Sequence, residues 1–91
     1  MMMLKEIQEN MEKLNDWALE GNIIVKDCTF KDFKEALEFI NKVGEIAEKH
    51  THQPDIMISY NRVKLSLTTH SEGGLTQKDF DVALEIDSLS K

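Results

Sequence analysis

A single cysteine and a single proline stand among 91 residues. With only Cys28, an intramolecular disulfide is impossible and a Cys-based zinc site is excluded. Between Asp27 and Thr29, in an apolar-rich stretch, Cys28 reads as a small buried hydrophobe rather than a reactive thiol. Positive charge is the next shortage. Eleven Lys and Arg face 17 Asp and Glu, the formal net charge is −6, and no basic cluster offsets it. That balance disfavours a phosphate-tracking surface and hence nucleic-acid binding. Long apolar runs are missing too: no stretch approaches the ~20 residues of a membrane span. The start, Met1-Met2-Met3-Leu4-Lys5-Glu6, turns acidic before the apolar core of a signal peptide could form. A soluble, cytoplasmic protein with no membrane partner is the expectation. Neither an internal repeat nor a low-complexity linker divides the chain.

What is present is ordinary globular material: 41% apolar and 31% charged residues. The length predicts one domain spanning 1–91. Its core is modest, so self-association is a natural way to cover more apolar surface.

Leu4, Ile7, Met11 and Leu14 recur at helical spacing and predict a short amphipathic helix ended by Asn15-Asp16. Trp17-Ala18-Leu19, the turn Gly21-Asn22, and Ile23 onward to Phe30 predict a hairpin. A second, longer helix follows, with Phe33, Ala36, Leu37, Ile40, Val43, Gly44 and Ala47 on its apolar face. Asp32 suits its positive end, Lys49 and His50 suit its negative end, and Pro54 forbids continuation. Ile56, Ile58 and Tyr60, then Val63, Leu65 and Leu67, alternate around Asn61-Arg62 and predict a second hairpin. Ser71-Glu72-Gly73-Gly74 is a loop. Thr76 as N-cap, Asp79 at the third helical position, and Leu75 with Phe80 as a staple open the last helix. Phe80, Ala83 and Leu84 carry its face, with Asp87 or Leu89 continuing it. The fold class is α+β, order α-β-β-α-β-β-α: a four-stranded antiparallel sheet with three helices on one face.

Two histidines sit at the ends of these elements. His52, in Thr51-His52-Gln53-Pro54, follows the long helix, and His70, in Thr68-Thr69-His70-Ser71, follows the last strand. Histidine is the side chain best placed to exchange protons near neutral pH. Acid–base chemistry in one cleft is one reading, and two solvent-exposed polar residues is another. A metal site built from His50, His52 and His70 is a third, weakened because His50 belongs to a helix and His52 to a loop. Asp79 is explained by capping alone, though a cap at a cleft edge would also fix the glycine loop.

The run Ala47-Glu48-Lys49-His50-Thr51-His52-Gln53-Pro54-Asp55, followed by Tyr60, Val63, Leu67, Thr69-His70, Gly74-Leu75-Thr76 and Asp79, resembles the pterin-4a-carbinolamine dehydratase family. Trp17, the Phe30-x-x-Phe33-x-x-Ala36-x-x-Phe39 pattern, and Ala83 followed by Ile86-Asp87 extend the resemblance to most of the chain. It implies the fold above, and a homodimer joined by sheet edges or a homotetramer joined through helices. The implied activity is dehydration of 4a-hydroxytetrahydropterin to quinonoid dihydropterin, with no metal or organic cofactor, in service of an aromatic amino acid hydroxylase. By resemblance His52 and His70 are the acid–base residues. Asp79, and less directly Glu48, would orient them. Thr51, His52, Gln53, Pro54, Thr68, Thr69, His70 and Ser71 would line the pterin pocket. The family usually has His-His-Pro or His-Asn-Pro where this chain has His52-Gln53-Pro54, and often an aromatic residue at the place of Ile56. Gln53 can exchange hydrogen bonds but not shuttle a proton. A dehydratase-like binding or assembly protein with weakened catalysis is therefore the second reading.

Overall fold

The computed structural model describes residues 2–89. Its elements run α1 (Leu4–Met11), β1 (Trp17–Glu20), β2 (Ile23–Thr29), α2 (Phe33–His50), β3 (Asp55–Ser59), β4 (Arg62–Leu67), a single 3-10 turn (His70–Glu72) and α3 (Gln77–Asp87). The strands form one antiparallel sheet in the order β1-β2-β4-β3. Both hairpins thus meet through their second strands, and β1 and β3 are the sheet edges. No described helix is long and apolar enough to cross a membrane.

Alternation sets the covered face of the sheet. Ile24 from β2 and Val63, Leu65 and Leu67 from β4 are fully buried or nearly so, and they share one core with the helices. That core includes Ala36, Val43 and Ile46 of α2 and Phe80, Val82, Ala83 and Ile86 of α3. Asp32 caps α2, its side chain accepting from the Glu35 amide at 2.9 Å.

Four sequence expectations shift. The first helix stops at Met11 instead of reaching Leu14, because the amides of Lys13 and Leu14 bond only three residues back, a tightened final turn. The buried face of α2 is Ala36, Phe39, Val43, Ile46 and Ala47, so Phe33 (46% exposed) and Leu37 (40%) lie outside it. The apolar arc of this helix is wider than the sheet can cover, and periodicity alone does not say which part is covered. The second hairpin turns at Tyr60-Asn61, with Ser59 paired to Arg62. Tyr60 takes φ +52° and is 66% exposed, while Asn61 reaches the residue that follows β2: its carbonyl accepts from Phe30 N (2.8 Å) and its Nδ2 donates to Phe30 O (2.9 Å). In α3, Val82 is buried and Leu84 is not.

Asp87 is buried for a reason the sequence did not disclose. Its Oδ1 accepts from Trp17 Nε1 (2.8 Å) and Lys26 Nζ (2.9 Å), and its Oδ2 accepts from Asn15 N (2.8 Å). Lys26 also donates to Asn15 O at 2.6 Å. Every polar group of this cluster has a partner, as burial of an ion pair requires. Cys28 is half-buried against the core. Burial pushes its thiol pKa up, with Lys26 acting in the opposite sense.

Candidate functional site

The end of α2 is a tight left-handed turn. Thr51 has φ +52° and ψ +43°, its amide bonds Glu48 O, and the amide of His52 bonds Ala47 O at 3.0 Å. This pair of bonds is the Schellman arrangement, whose left-handed position usually falls to glycine. A β-branched residue there costs on the order of 1–2 kcal/mol. The turn throws the chain sideways, so that His52 leaves the helix axis and Pro54 is buried before β3 begins.

His52 then meets α3. Its Nε2 lies 2.6 Å from Asp79 Oδ1, and the imidazole is largely covered. Asp79 is 0% exposed. Its second oxygen accepts from the Thr69 hydroxyl (2.8 Å) and from the Thr76 amide at the helix start (2.9 Å). Thr69 has one hydroxyl proton and gives it to Asp79, so the Thr76 hydroxyl, 2.9 Å away, donates to Thr69. A carboxylate only accepts. Against an ionised Asp79 the ring presents N–H at Nε2, and Nδ1 is left without a side-chain hydrogen bond among the described residues.

Thr69 also closes the glycine loop. Its amide and carbonyl bond Gly74 O and N, at 3.0 and 3.3 Å, and its carbonyl accepts from Glu72 N as well. His70 opens the 3-10 turn between these ends and is exposed, with no side-chain hydrogen bond among the described residues. Gly73 ends that turn with φ +74°. Thr69, the residue before His70, and His52 are thus both bound to Asp79. The two histidine-bearing segments meet at one carboxylate.

The remaining predicted residues divide. Gln53 and Pro54 line a groove with Glu48, Gly44, Asn41 and Ile56, between α2 and β3. Thr69 and Ser71 line a separate cleft with Thr76, Gln77 and Lys78 at the start of α3. Thr51 is exposed, and the Thr68 hydroxyl donates to Asn22 O at 2.7 Å. Of the eight residues expected around one pocket, four are therefore divided between two depressions, and Thr51, His52, Thr68 and His70 line neither. His50 turns away from His52 and meets Glu85 on α3, Nε2 to Oε1 at 2.8 Å. Among the described residues no group of three or more His, Cys, Asp or Glu is arranged to hold a metal ion. The sequence reading missed Glu85, because an exposed glutamate on a helix carries no signal of its distant partner.

The family model described as pterin 4 alpha carbinolamine dehydratase matches residues 2–89. Relatives named for that activity include one from Trichormus variabilis, 55% identical over 85 residues, covering 93% of this chain and 91% of the relative. One from Sulfurisphaera tokodaii is 49% identical with the same coverage. The crystal structure of a transcriptional coactivator/pterin dehydratase from Brucella melitensis superposes with a TM-score of 0.92 at 33% identity, over 99% of this chain and 98% of that one. A pterin dehydratase-like RuBisCO assembly factor of the alpha-carboxysome shares the fold, with a TM-score of 0.70 at 17% identity over 86% and 93%.

Proposed function

The chain belongs to the pterin 4 alpha carbinolamine dehydratase family, and on that premise we propose that it is a cytoplasmic hydro-lyase converting 4a-hydroxytetrahydropterin to quinonoid dihydropterin and water. The observation that carries the reading is the hydrogen bond from His52 to the buried Asp79, beside the loop that bears His70.

The chemistry needs two proton movements. The C4a–O bond breaks as the departing hydroxyl gains a proton and leaves as water. A ring nitrogen loses a proton as its electron pair forms the quinonoid double bond. One imidazolium and one neutral imidazole supply both, and they finish with their states exchanged. His52 acts through Nδ1, since Asp79 occupies Nε2. His70, exposed on its short turn, is its counterpart. Asp79 is the positioning residue of the pair. Gln53 and Pro54 from the α2–β3 groove and Thr69 and Ser71 from the cleft at the start of α3 are the proposed pterin contacts, with Thr51 and Thr68 next to them in the chain and backbone groups available to the polar edge of the ring. Neither metal nor organic cofactor enters these steps.

The product suits recycling for an aromatic amino acid hydroxylase. A homodimer or homotetramer is part of the proposal. The β3 edge, with Ile56 and Met57 exposed, and the uncovered α2 stripe of Phe33 and Leu37 are the surfaces that copies would bury.

The test is the acceleration of 4a-hydroxypterin breakdown by purified protein, alongside His52→Ala and His70→Ala. Each variant is expected to lose roughly a hundredfold or more in rate. Folded wild-type protein no faster than the spontaneous reaction would leave the second reading, a binding or assembly module.

A further inference from the structure

We propose that Glu85 is a positioning residue for His52: by holding His50 and Lys49 it fixes the last turn of α2, from which His52 projects. Its two carboxylate oxygens take one partner each. Oε1 meets His50 Nε2 at 2.8 Å and Oε2 meets Lys49 Nζ at 2.9 Å. Glu85 lies on the same helix as Asp79, so α3 grips the chain on both sides of Thr51: His50 through Glu85 and His52 through Asp79.

Thr51 is the hinge between these grips. A left-handed threonine does not hold its own conformation, and helix ends fray first. The amide of His52 hangs on Ala47 O, one turn back in α2. If the last turn loosens, that bond and the approach of the imidazole to Asp79 are lost together. The Glu85 tie opposes this. It also sets a carboxylate against the Lys49 ammonium at a helix C-terminus, where positive charge is itself favoured. Hydrogen bonds from His50 first, and then Lys49, hold the Glu85 carboxyl below the ordinary glutamate range. Lys49 is largely exposed and Glu85 about a third exposed, so the tie adds little to global stability. Its effect is local, on the aim of one ring.

The consequence for rate rests on the reading of His52 as an acid–base residue, whereas the consequence for ring geometry does not. The experiment compares wild type, Glu85→Ala, His50→Ala and Glu85→Gln by nitrogen-15 NMR of the histidine rings, by thermal melting and by dehydratase kinetics. In Glu85→Ala and His50→Ala the His52 Nε2–H signal is expected to shift and broaden. Their kcat falls roughly tenfold with KM little changed, and the melting temperature barely moves. Glu85→Gln, which keeps an acceptor beside His50, restores most of the signal and the rate. A His52 signal identical to wild type in Glu85→Ala overturns the proposal. A moved signal with unchanged kcat in an active enzyme overturns its link to catalysis. A wild type without activity would reject the proposed function, and the His52 signal alone would then decide the role of Glu85.

Discussion

The His52 imidazole and the Asp79 carboxylate meet at 2.6 Å, and the far oxygen of Asp79 is clamped by the Thr69 hydroxyl and the Thr76 amide. The carboxylate cannot rotate without breaking both clamps, so the ring is held against a fixed acceptor. D79N is expected to keep the fold, because its amide oxygen can still accept from Thr69 and Thr76. The amide nitrogen then faces Nε2 as a donor and forces the ring proton onto Nδ1. Turnover should drop by roughly 10²–10⁴ while the melting temperature stays close to wild type. Stopped-flow kinetics check the first part and calorimetry the second. An unchanged rate would remove the ring tautomer from the mechanism.

Gln53 stands in the groove beside Glu48 and Ile56, away from the Asp79 clamps. It is expected to position substrate by hydrogen bonding, since a side-chain amide does not change protonation state near neutrality. Gln53→His should therefore alter kcat by well under the ~100-fold contributed by a proton-transferring group. A gain of that size would show that the native chain lacks a catalytic proton carrier at this place.

Asp87 supports three donors from the opposite end of the sequence. Asp87→Ala leaves the Lys26 ammonium buried without its counter-ion and should cost about 3–5 kcal/mol. Urea denaturation measures it. A loss under about 1 kcal/mol would mean that the ammonium escapes to water.

Cys28 titrates above an ordinary thiol because burial disfavours its thiolate. Alkylation of native protein at mildly alkaline pH should be slower than that of the urea-unfolded chain, with the gap closing as pH rises. A folded pKa above the unfolded value means that folding favours the protonated thiol. The corresponding stability is present below the unfolded pKa and lost as pH climbs through the folded one. Equal rates in both states would contradict a perturbed thiol.

Features fixed by neighbours in the chain were legible in the sequence. Asp79 caps the helix it was expected to cap, and Asp32, expected only near the positive end of α2, proves to be its N-cap, since a cap spans only three residues. The sheet and the existence of both hairpins followed from alternation and turn residues, although the second turn falls at Tyr60-Asn61 and not at Asn61-Arg62. The α2 face was displaced because its apolar arc runs from Phe33 to Ala47 without a clear centre, and packing chose the side with Phe39 and Ile46. Partners such as Lys26 and Asp87, 61 residues apart, leave no local trace. At the site, the contact of His52 with Asp79 was foreshadowed by family spacing. The division of Gln53 and Ser71 between two depressions depends on how loop ends settle, which no spacing rule encodes.

The Asp87 cluster also sets an order of events during synthesis. Asn15, Trp17 and Lys26 are made long before the one carboxylate that joins them. Until that residue emerges, the ammonium of Lys26 has no anion to follow into the interior and stays in water. The end of the first hairpin that carries Trp17 and Lys26 is therefore expected to finish packing only with the end of α3. In pulsed hydrogen exchange during refolding, the indole N–H of Trp17 should gain protection together with the end of α3. Earlier protection would show that the hairpin closes without waiting for its partner.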